Sequence, residues 1–333
     1  MKRSFAILRA GAALCALLAA GAAPAAEFEW KLYTFYAIND VPTKLHRAYA
    51  KDISEASGGR LKITVYAAGE LPYKAQDVLR VLSGRQIEVG NLNFGFISGD
   101  APELNALSMP FVCTSWDKFY DRTLPRIADK TAAVLQQRFK VVPLVQWAMP
   151  AQQLWTTKPV ANVEQMRRLK ARTWNREQIE MMRLLDGSGV VITSSEVIPA
   201  LQRGVVDGAF TASIPAYDWK FYEVTKYAYM MDSTLGYEAL AVNRAAFDKL
   251  PPDLRQLVLD KSREWGDRYR KGLAEADEQA RANLAAKGMT LFPIQDEDRA
   301  RLGELTRSIT ADWAAKQPQA GRDILQDVEA TCR

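Results

Sequence analysis

The sequence has very little histidine. His46 is the only one in 333 residues. A zinc centre needs several His or Cys ligands at short spacings, and a nucleophilic Ser or Cys needs a supported base. The sequence contains no His and Cys residues at such a spacing, no G-x-S-x-G elbow and no Gly-rich phosphate loop followed by Lys-Ser/Thr. We therefore predict no metal, no cofactor and no catalytic residues, and we interpret His46 as a surface or partly buried residue of an early helix.

The chain also lacks an excess of one charge and a long apolar run. It has 44 Lys and Arg against 39 Asp and Glu, without a basic run, which argues against nucleic acid as a partner. The longest apolar segment, residues 10–23, follows Lys2, Arg3 and Arg9. It is shorter than the roughly 20 residues that span a bilayer, and small residues follow it. Residues 1–26 are predicted to be a signal peptide, with export to the periplasm.

Only three cysteines are present, and Cys15 lies inside the predicted leader. Cys113 and Cys332 would remain in an oxidising compartment, where a disulfide that pins the C-terminus is one interpretation. Two unpaired buried thiols are the other, because sequence spacing does not show whether the Cα atoms approach within about 7 Å.

Alternating strand and helix patterns predict an α/β fold. About 300 residues exceed one hydrophobic core, so two lobes are expected. A long helix should run from Pro251-Pro252 to Lys287, reaching roughly 54 Å at 1.5 Å per residue and bracing both lobes. The predicted strands are 28–36, 61–66, 87–93, 140–147, 169–174, a short buried one at 190–193, 205–211 and 237–243. The other predicted helices are 42–56, 74–83, 176–185, 195–203, 296–316 and 319–331.

These patterns divide the chain into predicted units. Lobe I is expected to comprise residues 27–150, with about 236–250 returning to it. Lobe II is expected to comprise residues 151–235. Residues 251–333 would form the long helix and the C-terminal helices, which pack across both lobes.

Three sequence motifs occur together. Their order and spacing identify a protein family more specifically than any one motif does. The first is residues 58–66, GGRLKITVY, followed by 69–71 and 81–84; the second is 169–172, LKAR, after Lys158-Pro159-Val160. The third is 195–208, SEVIPALQRGVVDG, followed by 221–227. Together they resemble the extracytoplasmic solute receptors of tripartite ATP-independent periplasmic (TRAP) transporters, the family named for C4-dicarboxylate and sialic acid receptors. The resemblance runs from about residue 28 to the end of the long helix.

The resemblance implies a two-lobed periplasmic binding protein fold of the Venus-flytrap type, with a hinge and a long bracing helix. It implies closure over one small organic acid, and a membrane partner made of TRAP transporter subunits driven by an ion gradient. It also implies a monomer. A receptor for an ABC-type importer or a sensor kinase stays open as an alternative, as does a periplasmic enzyme acting on an organic acid.

Arg172 lies where the resembled family has its signature arginine, which forms a two-pronged salt bridge with the ligand carboxylate. A planar guanidinium matches both carboxylate oxygens and stays charged when water is excluded. Gln152 stands where sialic acid receptors carry a second arginine, and Thr211 stands where the family often has asparagine. These departures predict a monocarboxylate with hydroxyl, keto, sugar or aromatic character.

Aromatic and amide side chains complete the predicted site. Asn93 and Gln152 are candidate hydrogen-bonding groups. Aromatic residues are dense around the predicted cleft, either to cover the ligand or to pack the core. They are Tyr73, Phe94, Phe96, Trp147, Trp174, Phe210, Tyr217 and Trp219, of which we assign Tyr73, Phe94, Trp147, Trp174 and Phe210 to the ligand site.

Overall fold

The computed structural model describes residues 26–332. The predicted signal peptide lies outside these residues, apart from Ala26. Among the helices of this part of the chain, none is both long and apolar enough to cross a membrane.

The strands form two separate sheets. The first has five strands in the order β2-β1-β3-β10-β4, and the second has six in the order β11-β9-β5-β8-β6-β7. Numbered along the chain, the strands are β1 Phe28–Tyr33, β2 Leu61–Tyr66, β3 Val89–Asn93, β4 Val141–Met149, β5 Gln153–Thr156, β6 Lys170–Thr173, β7 Ser188–Val191, β8 Gly208–Thr211, β9 Tyr227–Met230, β10 Gly236–Asn243 and β11 Thr290–Pro293.

Helices cover both sheets. They are α1 Val41–Ala56, α2 Val78–Ser83, α3 Trp116–Lys118, α4 Leu124–Phe139, α5 Val163–Met166, α6 Arg176–Leu184, α7 Ser194–Gln202, α8 Ser213–Asp218, α9 Arg244–Asp248, α10 Pro252–Ala286, α11 Asp296–Leu305, α12 Arg307–Lys316 and α13 Gln319–Cys332. Short 3-10 turns occupy Ala75–Asp77, Pro102–Ser108 and Phe221–Glu223, and a π-helical turn at Phe119–Thr123 joins α3 to α4.

The chain passes between the sheets three times: through two short segments, residues 150–152 and 231–235, and through α9 and α10, which lead from β10 of the first sheet to β11 of the second. The two short crossings are hydrogen-bonded to each other: Gln152 N–H donates to the Thr234 carbonyl at 2.9 Å, and Ser233 N–H donates to the Gln152 carbonyl at 3.0 Å. Such a paired crossing is where a hinge between two lobes would be placed.

Helix α10 contacts elements beside both sheets. Its 35 residues correspond to about 52 Å at 1.5 Å per residue. Val258, Trp265 and Tyr269 pack in the core cluster beside the first sheet, whereas Leu284 packs in a cluster with Trp155 of the second sheet. The predicted long helix is therefore present, and it extends past both sheets.

The C-terminal helix α13 is tied to the region beside the first sheet. Cys332 forms a disulfide with Cys113, and their Cα atoms are 5.0 Å apart. Both cysteines are buried in the same core cluster as Phe94 and Tyr237.

Several sequence predictions were wrong in detail. His46 is fully buried rather than near the surface, because its ring contacts the Tyr269 hydroxyl and Asn91. Burial lowers the pKa of His46 to about 3, so this side chain is neutral. The strand predicted as buried at 190–193 is the edge strand β7, and Val190 and Val191 are 44% and 55% exposed.

The predicted helix 296–316 is divided at Thr306 into α11 and α12. The Thr306 hydroxyl lies within hydrogen-bonding distance of the Leu302 and Pro110 carbonyls, at 2.8 and 3.3 Å. Side-chain bonding of this kind competes with continuation of a helix. Strands β5, β9 and β11 and helix α4 were not predicted.

Candidate functional site

A cavity lined by residues of both sheets lies between them. From the side of the first sheet it is lined by Phe35, Tyr36, Asn93, Phe96, Met149, Gly236 and Glu238. From the side of the second sheet it is lined by Arg172, Trp174, Ser194, Thr211, Ala212, Pro215 and Trp219, and Gln152 lies on the crossing segment. Both sheets therefore contribute residues to the lining of one cavity.

Arg172 is the cationic group of this lining. It lies near the carboxyl end of β6, between the parallel strands β7 and β8, where α/β folds place their ligands. Only 2% of the residue is exposed. Its Nε donates to the Ile192 carbonyl at 2.9 Å and its Nη1 donates to the Phe210 carbonyl at 2.7 Å. Carbonyls next to and within the two neighbouring strands thus fix the plane of the guanidinium.

No carboxylate within residues 26–332 forms an ion pair with Arg172, and no hydrogen bond to these residues uses its Nη2. Burial lowers the pKa of the Arg172 guanidinium to about 10, which still leaves it charged at neutral pH. A buried charge without a counter-ion is costly. An anion that entered the cavity would remove this cost.

Trp174 lies one residue beyond β6 on the same face as Arg172, because side chains alternate along a strand. Its ring meets Phe96 edge-on at a centroid distance of 5.8 Å, and Phe96 meets Phe35 in the same way at 5.3 Å. The Trp174 Nε1 is buried without a hydrogen-bond partner in the described chain. An oxygen of a bound molecule could accept this hydrogen bond.

The Trp174 ring packs directly on the backbone of Gly95, which follows β3 of the first sheet. A Cβ atom built on Gly95 would lie 2.0 Å from Cζ3 of Trp174. The absence of a side chain at Gly95 therefore allows the two sides of the cavity to approach each other here.

The Gly95→Ala substitution is expected to weaken ligand binding by about 10-fold or more, because an overpacked contact would displace the indole or hold the two sheets apart. Gly99→Ala is the matched control, since a Cβ at Gly99 has no atom within 4 Å. Calorimetric titration of both variants with the same acid measures the effect. Equal affinities of the two variants would show that the Gly95 contact does not support the binding form.

Glu238 forms the polar wall opposite Arg172 and was not predicted. It is fully buried in β10. Its Oε1 accepts hydrogen bonds from the Tyr36 hydroxyl at 2.7 Å and Asn93 Nδ2 at 3.0 Å, and its Oε2 accepts one from Asn91 Nδ2 at 3.0 Å. Burial raises the pKa of the Glu238 carboxyl to about 7, although these three hydrogen bonds favour the charged form. The sequence signal was a single carboxylate within the apolar run GYEALAVN, since such residues are seldom buried without a purpose.

Five of the nine residues assigned to the ligand site from the sequence line the cavity. These are Asn93, Gln152, Arg172, Trp174 and Thr211. The other four lie elsewhere, and strand alternation explains two of them. Phe94 follows the cavity residue Asn93 and points to the opposite side, against Tyr237 at 4.6 Å; Phe210 precedes Thr211 and is buried in the core below the second sheet.

The remaining two aromatic residues pack in the core beside the first sheet. Trp147 stacks on Tyr269 of α10 with ring centroids 4.5 Å apart, and Tyr73 meets Tyr33 edge-on at 5.7 Å. Both rings therefore pack in the protein core, which was the other interpretation given for the aromatic residues. Phe96 and Trp219, which were noted among the aromatic residues but not assigned to the site, do line the cavity.

In the described chain, no group of three or more His, Cys, Asp or Glu side chains is placed to hold a metal ion. Two α/β sheets around a shared cavity, with a buried guanidinium that has no carboxylate partner in residues 26–332, define a solute receptor of the two-lobed periplasmic binding class. Residues 39–317 match the family model DctP, described as bacterial extracellular solute-binding protein, family 7. The chain belongs to this family of TRAP transporter receptors, which are binding proteins and not enzymes.

Known relatives agree with this assignment. A solute-binding protein of Albidiferax ferrireducens is 27% identical over 225 residues, which cover 66% of this chain and 65% of the relative. The crystal structure of DctP6 of Bordetella pertussis, an extracytoplasmic solute receptor that binds pyroglutamic acid, has a TM-score of 0.85 at 24% identity and covers 91% of this chain and 99% of its own. A TRAP periplasmic solute-binding protein of Chromohalobacter salexigens with bound D-glucuronate also has a TM-score of 0.85, at 21% identity, with the same shares. The predicted fold class and family are confirmed.

Proposed function

We propose that this protein is a periplasmic receptor that binds one small organic monocarboxylate between its two lobes and delivers it to TRAP membrane subunits. The observation that carries the proposal is Arg172, a buried guanidinium with no carboxylate partner in residues 26–332. Its two backbone hydrogen bonds hold the planar fork in place before a ligand arrives, which favours bidentate binding of a carboxylate.

The proposal of a monocarboxylate rests on the charges of the lining. Arg172 is the one Lys or Arg among the residues that line this cavity, and Gln152 is neutral. A second ligand carboxylate would lack a cation and would have to be desolvated without compensation. A ligand with one carboxylate and a polar or ring-shaped body fits better.

Further contacts of the ligand are proposed with residues on both sides of the cavity. The unpaired Trp174 Nε1 would donate to a ligand oxygen, and Asn93, Gln152 and Thr211 would supply polar contacts. Phe96 and Trp219 would cover an apolar or ring face. The relatives that bind pyroglutamic acid and D-glucuronate, both cyclic monocarboxylates, support this class of ligand.

The two lobes are proposed to comprise residues 27–150 with 236–250, and residues 151–235, with the hinge at the paired crossings near Gln152 and Thr234. Closure of the lobes over the ligand would join Arg172 and Trp174 to the wall at Asn93. The ligand would thereby shift an equilibrium between open and closed forms. Export through the predicted signal peptide and action as a monomer belong to the same proposal.

A thermal-shift panel of cyclic and linear acids, each paired with its neutral primary amide, tests this function. Acids that bind should raise the melting temperature and their amides should not, because the amide cannot pair with the Arg172 charge. Pyroglutamate and D-glucuronate are the first probes. Equal shifts from acids and amides, or shifts from neutral sugars alone, would contradict the proposal.

A further inference from the structure

We infer that Glu238 is a specificity-determining residue, which accepts a hydrogen bond from an N–H or O–H group of the ligand and excludes acids that place a second carboxylate beside it. The inference rests on the proposed function, in which Arg172 binds the ligand carboxylate. It goes further by defining the chemistry required at the other side of the cavity.

The hydrogen bonds around Glu238 can be assigned a direction. The Asn93 Oδ1 accepts from the backbone N–H groups of Gly95 and Phe96, at 3.0 and 3.2 Å. The Asn91 Oδ1 accepts from the Thr34 hydroxyl at 3.1 Å. Since both amide oxygens are occupied by donors, both amide NH2 groups face Glu238. Donors therefore surround this carboxylate, and Glu238 acts as an acceptor.

The acceptor capacity of Glu238 is not exhausted. An ionised carboxylate offers about four lone-pair sites. Asn91, Asn93 and Tyr36 occupy three of them. Glu238 lines the cavity, as do Asn93 and Tyr36. Oε1 accepts two of these bonds and Oε2 accepts one, so the unfilled acceptor position belongs to Oε2, and in this inference a ligand donor that enters from the cavity fills it.

The charge of Glu238 has no cationic partner. In the part of the chain that the structure describes, no Lys, Arg or His forms an ion pair with it, and the groups that donate to it are all neutral. Arg172 lines the same cavity but does not pair with Glu238, since its hydrogen bonds go to backbone carbonyls. The cavity therefore presents a cationic guanidinium and, separate from it, a carboxyl group surrounded by hydrogen-bond donors.

A ligand that spans these two groups needs an acceptor at one end and a donor at the other. A carboxylate at the Glu238 end would bring two like charges together in a site with little water, which is strongly unfavourable. A lactam N–H or a sugar hydroxyl at that end would instead complete the hydrogen bonding of Glu238. An analogue that lacks the donor leaves the buried acceptor unpaired. The cost of the unpaired acceptor discriminates strongly between close analogues.

Matched probes test this role. Pyroglutamate and 5-oxotetrahydrofuran-2-carboxylate have the same shape, but the second replaces the lactam N–H by an oxygen. D-gluconate and D-glucarate are both open-chain, and they differ by a second carboxylate in place of a terminal hydroxymethyl group. Calorimetric titration of these acids into the wild type, the Glu238→Gln variant and the Glu103→Gln variant measures each ratio of affinities. Glu103 is a second buried glutamate that lies outside the cavity and pairs with Arg138.

The wild type is expected to bind at least one donor-bearing monocarboxylate about 10- to 100-fold more tightly than its matched analogue. In Glu238→Gln that preference should fall below about threefold, because the glutamine amide can donate to a ligand oxygen and carries no charge. Glu103→Gln should keep the wild-type ratio even if it lowers stability. A purely structural role of Glu238 would weaken both members of a pair equally.

Three results would overturn the inference. They are equal binding of the paired acids by the wild type, an unchanged ratio in Glu238→Gln, and binding of dicarboxylates in preference to both donor-bearing acids. None of them would contradict Arg172 as the group that binds the ligand carboxylate. Loss of discrimination between acids and their amides would instead contradict the proposed function, so the two failures are distinguishable.

Discussion

Replacing Arg172 with methionine is expected to weaken the binding of organic acids by at least about 100-fold, because truncating one partner of a buried charge pair typically costs 2–5 kcal/mol or more. The ligand carboxylate would enter the closed cavity without a counter-ion. Arg172→Lys should fall between the wild type and Arg172→Met, since a lysine keeps the charge but loses the planar fork. Calorimetric titration with the acid that gives the largest thermal shift measures both variants.

The unliganded Arg172→Met variant should remain folded. Its free energy of unfolding should stay within about 2 kcal/mol of the wild type, because loss of two backbone hydrogen bonds is offset by removal of an unpaired buried charge. Arg176→Met is the control, since Arg176 is exposed on the first turn of α6. If Arg172→Met and Arg176→Met bind the acid equally well, Arg172 is not the carboxylate group.

Removing the disulfide is expected to have the largest effect on stability. The bond between Cys113 and Cys332 joins residues that are 219 positions apart in sequence. On the chain-entropy model, closing a loop of this size lowers the free energy of the folded state relative to the unfolded chain by about 5 kcal/mol. The Cys113→Ala, Cys332→Ala double variant should therefore melt about 8 °C below the wild type.

Ligand affinity should change little in the double variant, because neither cysteine lines the cavity. Reduction of the wild type with dithiothreitol should lower its melting temperature by a similar amount and should leave the double variant unaffected. An unchanged melting temperature in the double variant, or in the reduced wild type, would show that α13 is held by packing alone.

The fold class could be predicted from the sequence for a physical reason. Strand and helix periodicities depend on neighbouring residues, so β2 and α1 were located to within one residue. Arg172 followed from its place in an ordered set of motifs, and the structure adds that Arg172 lines a cavity between two sheets.

The sequence does not show which face of a central strand points to the cavity. Strands β3 and β10 are buried along their entire length, so they lack the alternation of polar and apolar residues that would identify a face. Phe94 was therefore assigned to the site together with Asn93, although the two point in opposite directions. Trp147 and His46 likewise depend on contacts with Tyr269, which is distant in the chain.

The surroundings of Glu238 could likewise not be predicted from the sequence. A carboxylate in an apolar strand signals a special position, but its partners Tyr36, Asn91 and Asn93 come from other segments. Only their arrangement in space shows that the donors surround the carboxylate of a residue that lines the cavity.

A crystal structure of the protein with the acid that stabilises it most would show directly whether Arg172 binds the ligand carboxylate. Both carboxylate oxygens are expected to lie about 2.7–2.9 Å from the Arg172 guanidinium, inside the cavity between the two sheets. A carboxylate bound by another residue, with Arg172 turned away from the ligand, would contradict this expectation.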